Sequence, residues 1–365
     1  MTERRTCILV LGMHRSGSSA ATGCLAHLGV GMPAHMLGSN SSNPTGHWEP
    51  QPIIDFNDGL LKEIASAWHD WRAVDLAMLG AERLAARAAE LRRILLEEFG
   101  EAKLFALKDP RICRLVPFYL DVLASLGVDV RVLITVRHPA DVARSLDHRD
   151  RIARPFAELL WLRHVIDPER LTRHLPRAVV PYPWLLDHPA EILVEAARQL
   201  GVAWPAGDIG VADAVRFVSR EHDHSGPEPG AHDELIGLLE RVWTAMLGVA
   251  GGRDLADELT ALGTEFEAAD HAGTSVRRVV AGETARAKQE VARLQSHLAE
   301  VQQRLVAAEQ SNASVAAALM QEREKSAGLE QRLAAAEDAL GAELARREAR
   351  ISARFARSLR RLGGR

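Results

Sequence analysis

A short apolar run that ends in a glycine turn constrains this chain more than any other stretch. Cys7-Ile8-Leu9-Val10-Leu11 leads into Gly12-Met13-His14-Arg15-Ser16-Gly17-Ser18-Ser19, and a helical stretch from Ala20 to Leu28 follows. Strand, turn and helix in this order make a cradle. Its backbone N–H groups point inward at the helix N-terminus and favour an anion. The spacing Gly12-x4-Gly17 is that of the phosphate-binding loop of nucleotide enzymes. The lysine that follows the second glycine in such loops is replaced here by Ser18, and the strong cation of the turn is Arg15. The plainer alternative for the same residues is an ordinary strand-to-helix turn with a serine N-cap.

The chain beyond this turn alternates. Leu104 to Leu107 reads as a second buried strand that ends in Lys108-Asp109-Pro110-Arg111, where proline leaves the ladder. Val130 to Val136 is a third, apolar enough to be buried on both faces, and ends in Arg137-His138-Pro139. Val179-Val180 is a fourth, short one, ending at Pro181-Tyr182. Helical periodicity falls between them, at 53–67, 81–99, 113–126, 140–146, 156–165 and 190–200, with Gly100, Gly127 and Gly201 as stops. The alternation predicts an α/β fold, a parallel sheet of P-loop type with helices on both faces. Ligands of such sheets bind beyond the carboxyl ends of the strands, where every charged turn named here lies. The segment 32–52 is rich in Gly, Ser, Asn and Pro and is long enough to be a functional loop.

Near 221–230 the composition turns polar, and one further amphipathic helix is expected at 235–247. From Val280 the character changes. Apolar or small residues recur at alternating steps of four and three: Val280, Thr284, Ala287, Val291, Leu294, Leu298, Val301 and Leu305, then through Asn312 to Leu319, resuming at Leu329 after Glu322 and Ser326. This is a heptad pattern, and Asn312 sits where a polar residue fixes register in a parallel two-stranded coil. A long solvated helix is the alternative. The expected organisation is a catalytic domain at 1–230, a helical connector at 231–275, a coiled coil at 276–343 and a basic amphipathic tail at 344–365. In the tail Arg346, Arg347, Arg350, Arg354, Arg357, Arg360, Arg361 and Arg365 face a single acid, Glu348. Such a helix reads either as an element for an anionic membrane surface or as a solvated, frayed end.

Bulk properties exclude several classes. A net charge of −4 provides no basic field, so no nucleic-acid partner is expected. Three cysteines, Cys7, Cys24 and Cys113, have no metal spacing and no disulfide framework, which fits a reducing compartment. The first apolar run is too short and too soon interrupted for a signal peptide, and no stretch is long and apolar enough to span a bilayer. A cytoplasmic protein is expected, with peripheral contact at the inner membrane surface if the tail binds lipid.

Three strand ends therefore carry groups suited to a polyanionic nucleotide: Arg15, Lys108 with Arg111, and Arg137 with Ser145 eight residues on. Pro139 opens a helix well, and that helix carries Ser145, so arginine and serine can converge on one phosphate. Together these residues resemble the sulfotransferases that use 3′-phosphoadenylyl sulfate (PAPS). Gly12 to Ser19 is similar to their 5′-phosphosulfate loop, and Arg137 to Ser145 is similar to their 3′-phosphate motif. Asn43-Pro44 with Gly46-His47-Trp48-Glu49, Leu107 to Arg111, Leu160-Trp161-Leu162-Arg163, and Tyr182 with Leu185-Leu186 resemble the bacterial branch in particular. The similarity runs over residues 6–205 and leaves out the heptads.

The resemblance implies a donor site for PAPS, whose product is adenosine 3′,5′-bisphosphate. Gly12, His14, Ser16, Gly17, Ser18 and Ser19 would hold the 5′-phosphosulfate, Arg15 would meet charge on the bridging oxygen, Arg137 and Ser145 would bind the 3′-phosphate, and Tyr182 would lie near the adenine. Glu49 would be the base for an acceptor hydroxyl, with His47 and His14 as the other candidates. Lys108 and Arg15 would supply the cationic charge, so no metal is implied. The expected activity is sulfonate transfer to a hydroxyl of a glycan or lipid-linked sugar, by a chain that forms a homodimer through its heptads. A P-loop kinase using ATP and Mg²⁺, with Asp109 at the metal, and a non-catalytic coiled-coil scaffold are the other readings.

Overall fold

In the computed structural model, residues 4–38, 46–218, 234–271 and 273–362 are described. Asn43-Pro44 lies outside them, and so do the side chains of the expected tail from residue 351 onward. The chain divides into two units, residues 1–286 and 287–365.

The first unit is built on a four-stranded, wholly parallel sheet: β1 (Thr6–Leu11), β2 (Leu104–Lys108), β3 (Asp129–Val136) and β4 (Arg177–Pro181), in the order β2-β1-β3-β4. β1 is flanked on both sides, Leu9 pairing with Leu107 of β2 and with Val132 of β3. Alternate residues of β1 enter different cores, as a period of two requires. Cys7, Leu9 and Leu11 face one, with α2 (Gln51–Glu63), α3 (Ala81–Phe99), α4 (Val116–Ser125) and α6 (Arg154–Leu171). Ile8 and Val10 face the other, with α1 (Ser18–His27), α8 (Pro189–Leu200) and α9 (Gly207–Val218). The expected α/β architecture is thus the observed one. α5 (Pro139–Asp150) follows β3, and α7 (Tyr182–Asp187) follows β4 directly.

Some details differ from expectation. The helix read at 113–126 begins later: Pro110–Arg114 form a 3₁₀ turn capped by Asp109, and Pro117 at the start of α4 sets the new helix from Val116. The region expected as a connector is part of the first unit. α10 (Glu234–Ala250) and α11 (Ala256–His271) send Leu239, Val242, Met246, Leu262 and Phe266 into the core that α6 also lines. Arg163 of α6, itself buried, fastens α11 through Glu267 at 2.5 Å and lies over the Phe266 ring. The second unit belongs to α12 (Thr274–Leu362), a continuous helix whose apolar side chains from Val291 to Leu344 are exposed.

Candidate active site

The loop after β1 is pressed between two neighbours. Gly12 has φ 147°, and a Cβ there would stand 2.4 Å from Thr135 Oγ1 of β3. Its N–H donates to Cys113 Sγ at 3.1 Å, and the Thr135 hydroxyl donates to the Leu11 carbonyl. Burial pushes the Cys113 thiol up to about 12, so the sulfur accepts that bond as a neutral group. Gly17 has φ 87°, and a Cβ there would stand 2.2 Å from the Tyr182 ring. Neither position admits another residue without displacement. Between them Arg15 adopts φ 68°, a left-handed conformation that costs a non-glycine residue on the order of 1 kcal/mol or more. No side chain caps α1, whose N-cap is Gly17, so no cap competes with an anion at this helix N-terminus.

That strained backbone carries Arg15 to the far motif. Its Nε donates to Ser145 Oγ at 2.8 Å, across 130 residues of sequence. Arg137, at the end of β3, lies over the Tyr182 ring at 5.0 Å and reaches Asp141 Oδ2 at 4.0 Å. Its carbonyl accepts from Trp161 Nε1 at 2.9 Å, which ties the strand end to α6. Arg15, Ser145, Arg137 and Tyr182 are therefore one constellation.

The second cluster hangs on Lys108. This buried ammonium donates to Glu49 Oε1 at 2.5 Å, to the His47 carbonyl at 3.0 Å and to Ser19 Oγ at 3.2 Å. One cation thus fastens the 46–49 segment to the first turn of α1. Its sequence neighbour Asp109 is engaged elsewhere, accepting from the Asn57 side chain and from the backbone and side chain of Arg111. Burial pushes the Glu49 carboxyl up, and the Lys108 and Arg111 charges pull against it.

The two histidines stay neutral. Burial first, then the charges of Arg111 and Arg149, holds His14 well below the usual imidazole range. Burial, then Lys108, Arg149 and Arg15, lowers His47. Among the described residues His14 Nε2, His47 Nε2, Trp48 Nε1 and the wholly buried Ser16 Oγ have no hydrogen-bond partner. Buried polar atoms are normally satisfied, so such a group beside a phosphate-type loop fits a ligand that supplies the partners.

Two contributors were not singled out from the sequence. Arg149, one helical turn beyond Ser145 on α5, acts electrostatically on Arg15, His14 and His47. The i, i+4 spacing from Ser145 was the available signal. Trp68 lies 4.5 Å from the His14 ring and starts a row of ring contacts through His69 to Phe156, which meets Trp71. Nothing in the sequence links Trp68 to a loop more than 50 residues earlier. No group of three or more His, Cys, Asp or Glu suited to a metal occurs among the described residues, and no described helix is long and apolar enough to cross a membrane.

No protein-family model matches the chain, and no curated protein matches it. Among solved structures, the chain is similar to the sulfotransferase domain of the Synechococcus PCC 7002 olefin synthase, at 18% identity and a TM-score of 0.41, over 66% of this chain and 96% of that one. Sulfotransferase STF9 from Mycobacterium avium aligns at 13% identity and a TM-score of 0.39, over 68% and 77% respectively. The sulfotransferase domain from the curacin biosynthetic pathway aligns at 16% and 0.37, over 67% and 99%.

Proposed function

We propose that this chain is a PAPS-dependent sulfotransferase that modifies a hydroxyl of a carbohydrate. The Arg15–Ser145 hydrogen bond carries the reading, because it joins the two motifs that resemble the donor loop and the 3′-phosphate site. The unpartnered Ser16 hydroxyl, the uncapped first turn of α1 and the glycines that admit no Cβ fit a phosphosulfate in the cradle. PAPS, when bound, supplies the sulfonate group.

The residues divide the remaining work. The α1 N-terminus and Ser16 to Ser19 hold the 5′ end. Arg15 would meet the negative charge that develops on the leaving oxygen, and preorganised charge of this kind is the largest usual contribution to such transfers. Arg137 and Ser145 engage the 3′-phosphate, with Tyr182 packed beneath the guanidinium. Glu49 accepts the acceptor's proton. Its burial brings it closer to a working base than an ordinary carboxylate, and Lys108 orients it. The row from His14 through Trp68 to Phe156 gives the acceptor side flat apolar faces beside polar edges, chemistry suited to a sugar ring.

Chromatographic analysis of nucleotides tests this reading. Incubation with PAPS and a panel of simple glycosides is expected to yield adenosine 3′,5′-bisphosphate and a sulfated glycoside without added metal. Mg²⁺-dependent conversion of ATP to ADP, with PAPS left intact, would replace it by the kinase reading.

A further inference from the structure

The second unit presents a surface that its own chain does not cover. Leu294, Leu298, Val301, Leu305, Val315 and Leu319 recur at steps of three and four and lie between 44% and 62% exposed. A stripe of this length, about 1.5 Å per residue over 287–350 or roughly 95 Å, exceeds what a soluble surface normally leaves to water.

The charges beside the stripe say what covers it. With Asn312 at an a position, Val291, Leu298, Leu305 and Leu319 are also a, and Leu294, Val301 and Val315 are d. The flanking g positions then include Arg304, Lys325 and Arg332, and the e positions five residues further on are Glu309, Glu330 and Glu337. In a parallel, in-register pair each g residue meets the e′ residue five places on in the other chain, so these three pairings all join opposite charges. The remaining g–e′ pairings contain no like charges: Glu290 with Gln295, His297 with Gln302, Ser311 with Ala316, and Ala318 with Arg323. Among the described residues Arg304, Glu309, Glu330, Arg332 and Glu337 make no ion pair within the chain. Lys325 pairs with Glu322 at 2.8 Å. Glu322 and Glu343 both occupy d positions, and each meets a cation of its own chain, Lys325 at 2.8 Å and Arg346 at 3.7 Å, so neither acid faces its own copy without a counter-charge.

We infer that the second unit is the half-site of a parallel, in-register two-stranded coiled coil, and that its partner is a second copy of this chain. Asn312 of each chain faces Asn312 of the other, an arrangement that fixes register and that an antiparallel pair, which packs a against d′, would not make. Glu322 and Ser326 divide the seam into a longer segment before them and a shorter one after. Pairing along this seam does not depend on the donor chemistry.

Sedimentation and cross-linking of the full chain test it. The natural cysteines are all buried, so Leu294→Cys supplies the reactive thiol at the seam. Expected results are a dimer at low micromolar concentration and, for Leu294→Cys in a glutathione redox buffer, a disulfide-linked dimer. A chain with Arg304→Glu, Lys325→Glu and Arg332→Glu is expected to self-associate about tenfold or more weakly. Mixing it with a chain carrying Glu309→Lys, Glu330→Lys and Glu337→Lys is expected to restore a one-to-one dimer. A monomer for the unmodified chain, a dimer in which Leu294→Cys forms no cross-link, or charge-reversed chains that self-associate like the unmodified one would each overturn the proposal. Circular dichroism of the reversed chains separates loss of pairing from loss of folding.

Discussion

The two units misplace opposite kinds of atoms. The first buries charge and polarity around its loop: Lys108 and Glu49 are sealed from water, and Ser16, His14 and His47 keep polar atoms without partners. The second leaves leucines and valines in water along most of its length. A folded chain tolerates either state only at a cost, since an unsatisfied buried polar group costs about 1–3 kcal/mol and exposed apolar area forfeits about 25 cal/mol per Å². Each mismatch describes its missing complement, an anion with many acceptor oxygens for the first and an apolar helix for the second. Mutations that act on one mismatch and spare the other test whether the two are separate devices.

The largest effect is expected at Lys108. Lys108→Ala leaves the buried Glu49 carboxylate with only the more distant Arg111, 4.0 Å away, which costs up to about 3–5 kcal/mol in urea unfolding of the first unit. The double variant Lys108→Ala/Glu49→Gln should recover most of that loss, because the pair rather than either residue is the stabilising unit. Sedimentation of the full chain should not change. Next comes Arg15→Ala, for which we expect turnover to fall roughly 10²–10³-fold while unfolding stays nearly unchanged. Equal turnover in this variant would remove Arg15 from the chemistry.

The contrast also marks how far the sequence was legible. The sheet was readable because buried strands are continuous apolar runs closed by glycine, proline or charge. The loop was readable because Gly12 and Gly17 answer to steric demands that no other residue meets. The Arg137–Ser145 interval was readable because both residues ride on one strand-to-helix turn. The pairing of Lys108 with Glu49 was not, since it depends on where a loop 59 residues earlier comes to rest. Asp109, the sequence neighbour, was the natural local partner and is occupied by Asn57 instead. Trp68 beside His14 was hidden for the same reason. Helices α9 and α11 escaped because their apolar stripes are short and carry alanine and glycine, so packing rather than propensity defines them. The heptads needed no tertiary information, which is why the second unit reads so directly.

Mild acid should act on the first unit through its buried histidines. His14 and His164 are buried and held below their unfolded value, His164 at about 3, by desolvation first and then by neighbouring cations. The unfolded chain takes up protons near 6.5 and the folded chain does not. Each histidine therefore adds stability above that pH and loses it as pH falls below it, His164 down to about 3, at up to about 1.4 kcal/mol per pH unit. Urea unfolding at pH 7 and pH 5 should show the loss, and His164→Asn should reduce it. A pH-independent midpoint would contradict these neutral, buried histidines. The smallest effect on chemistry is expected from Leu305→Asp, which should abolish self-association in sedimentation and leave nucleotide affinity within about twofold.

On the proposed function, the first unit's unpartnered polar cluster would hold a nucleotide bearing a 3′-phosphate. Isothermal titration of adenosine 3′,5′-bisphosphate into the full chain and into Arg137→Ala tests it most directly. Binding to the native chain is expected, with weaker binding of adenosine 5′-monophosphate and a loss of roughly 10–100-fold for adenosine 3′,5′-bisphosphate in the variant, the range for a charge-assisted bond to phosphate. No binding to the native chain, or equal affinity in Arg137→Ala, would contradict it.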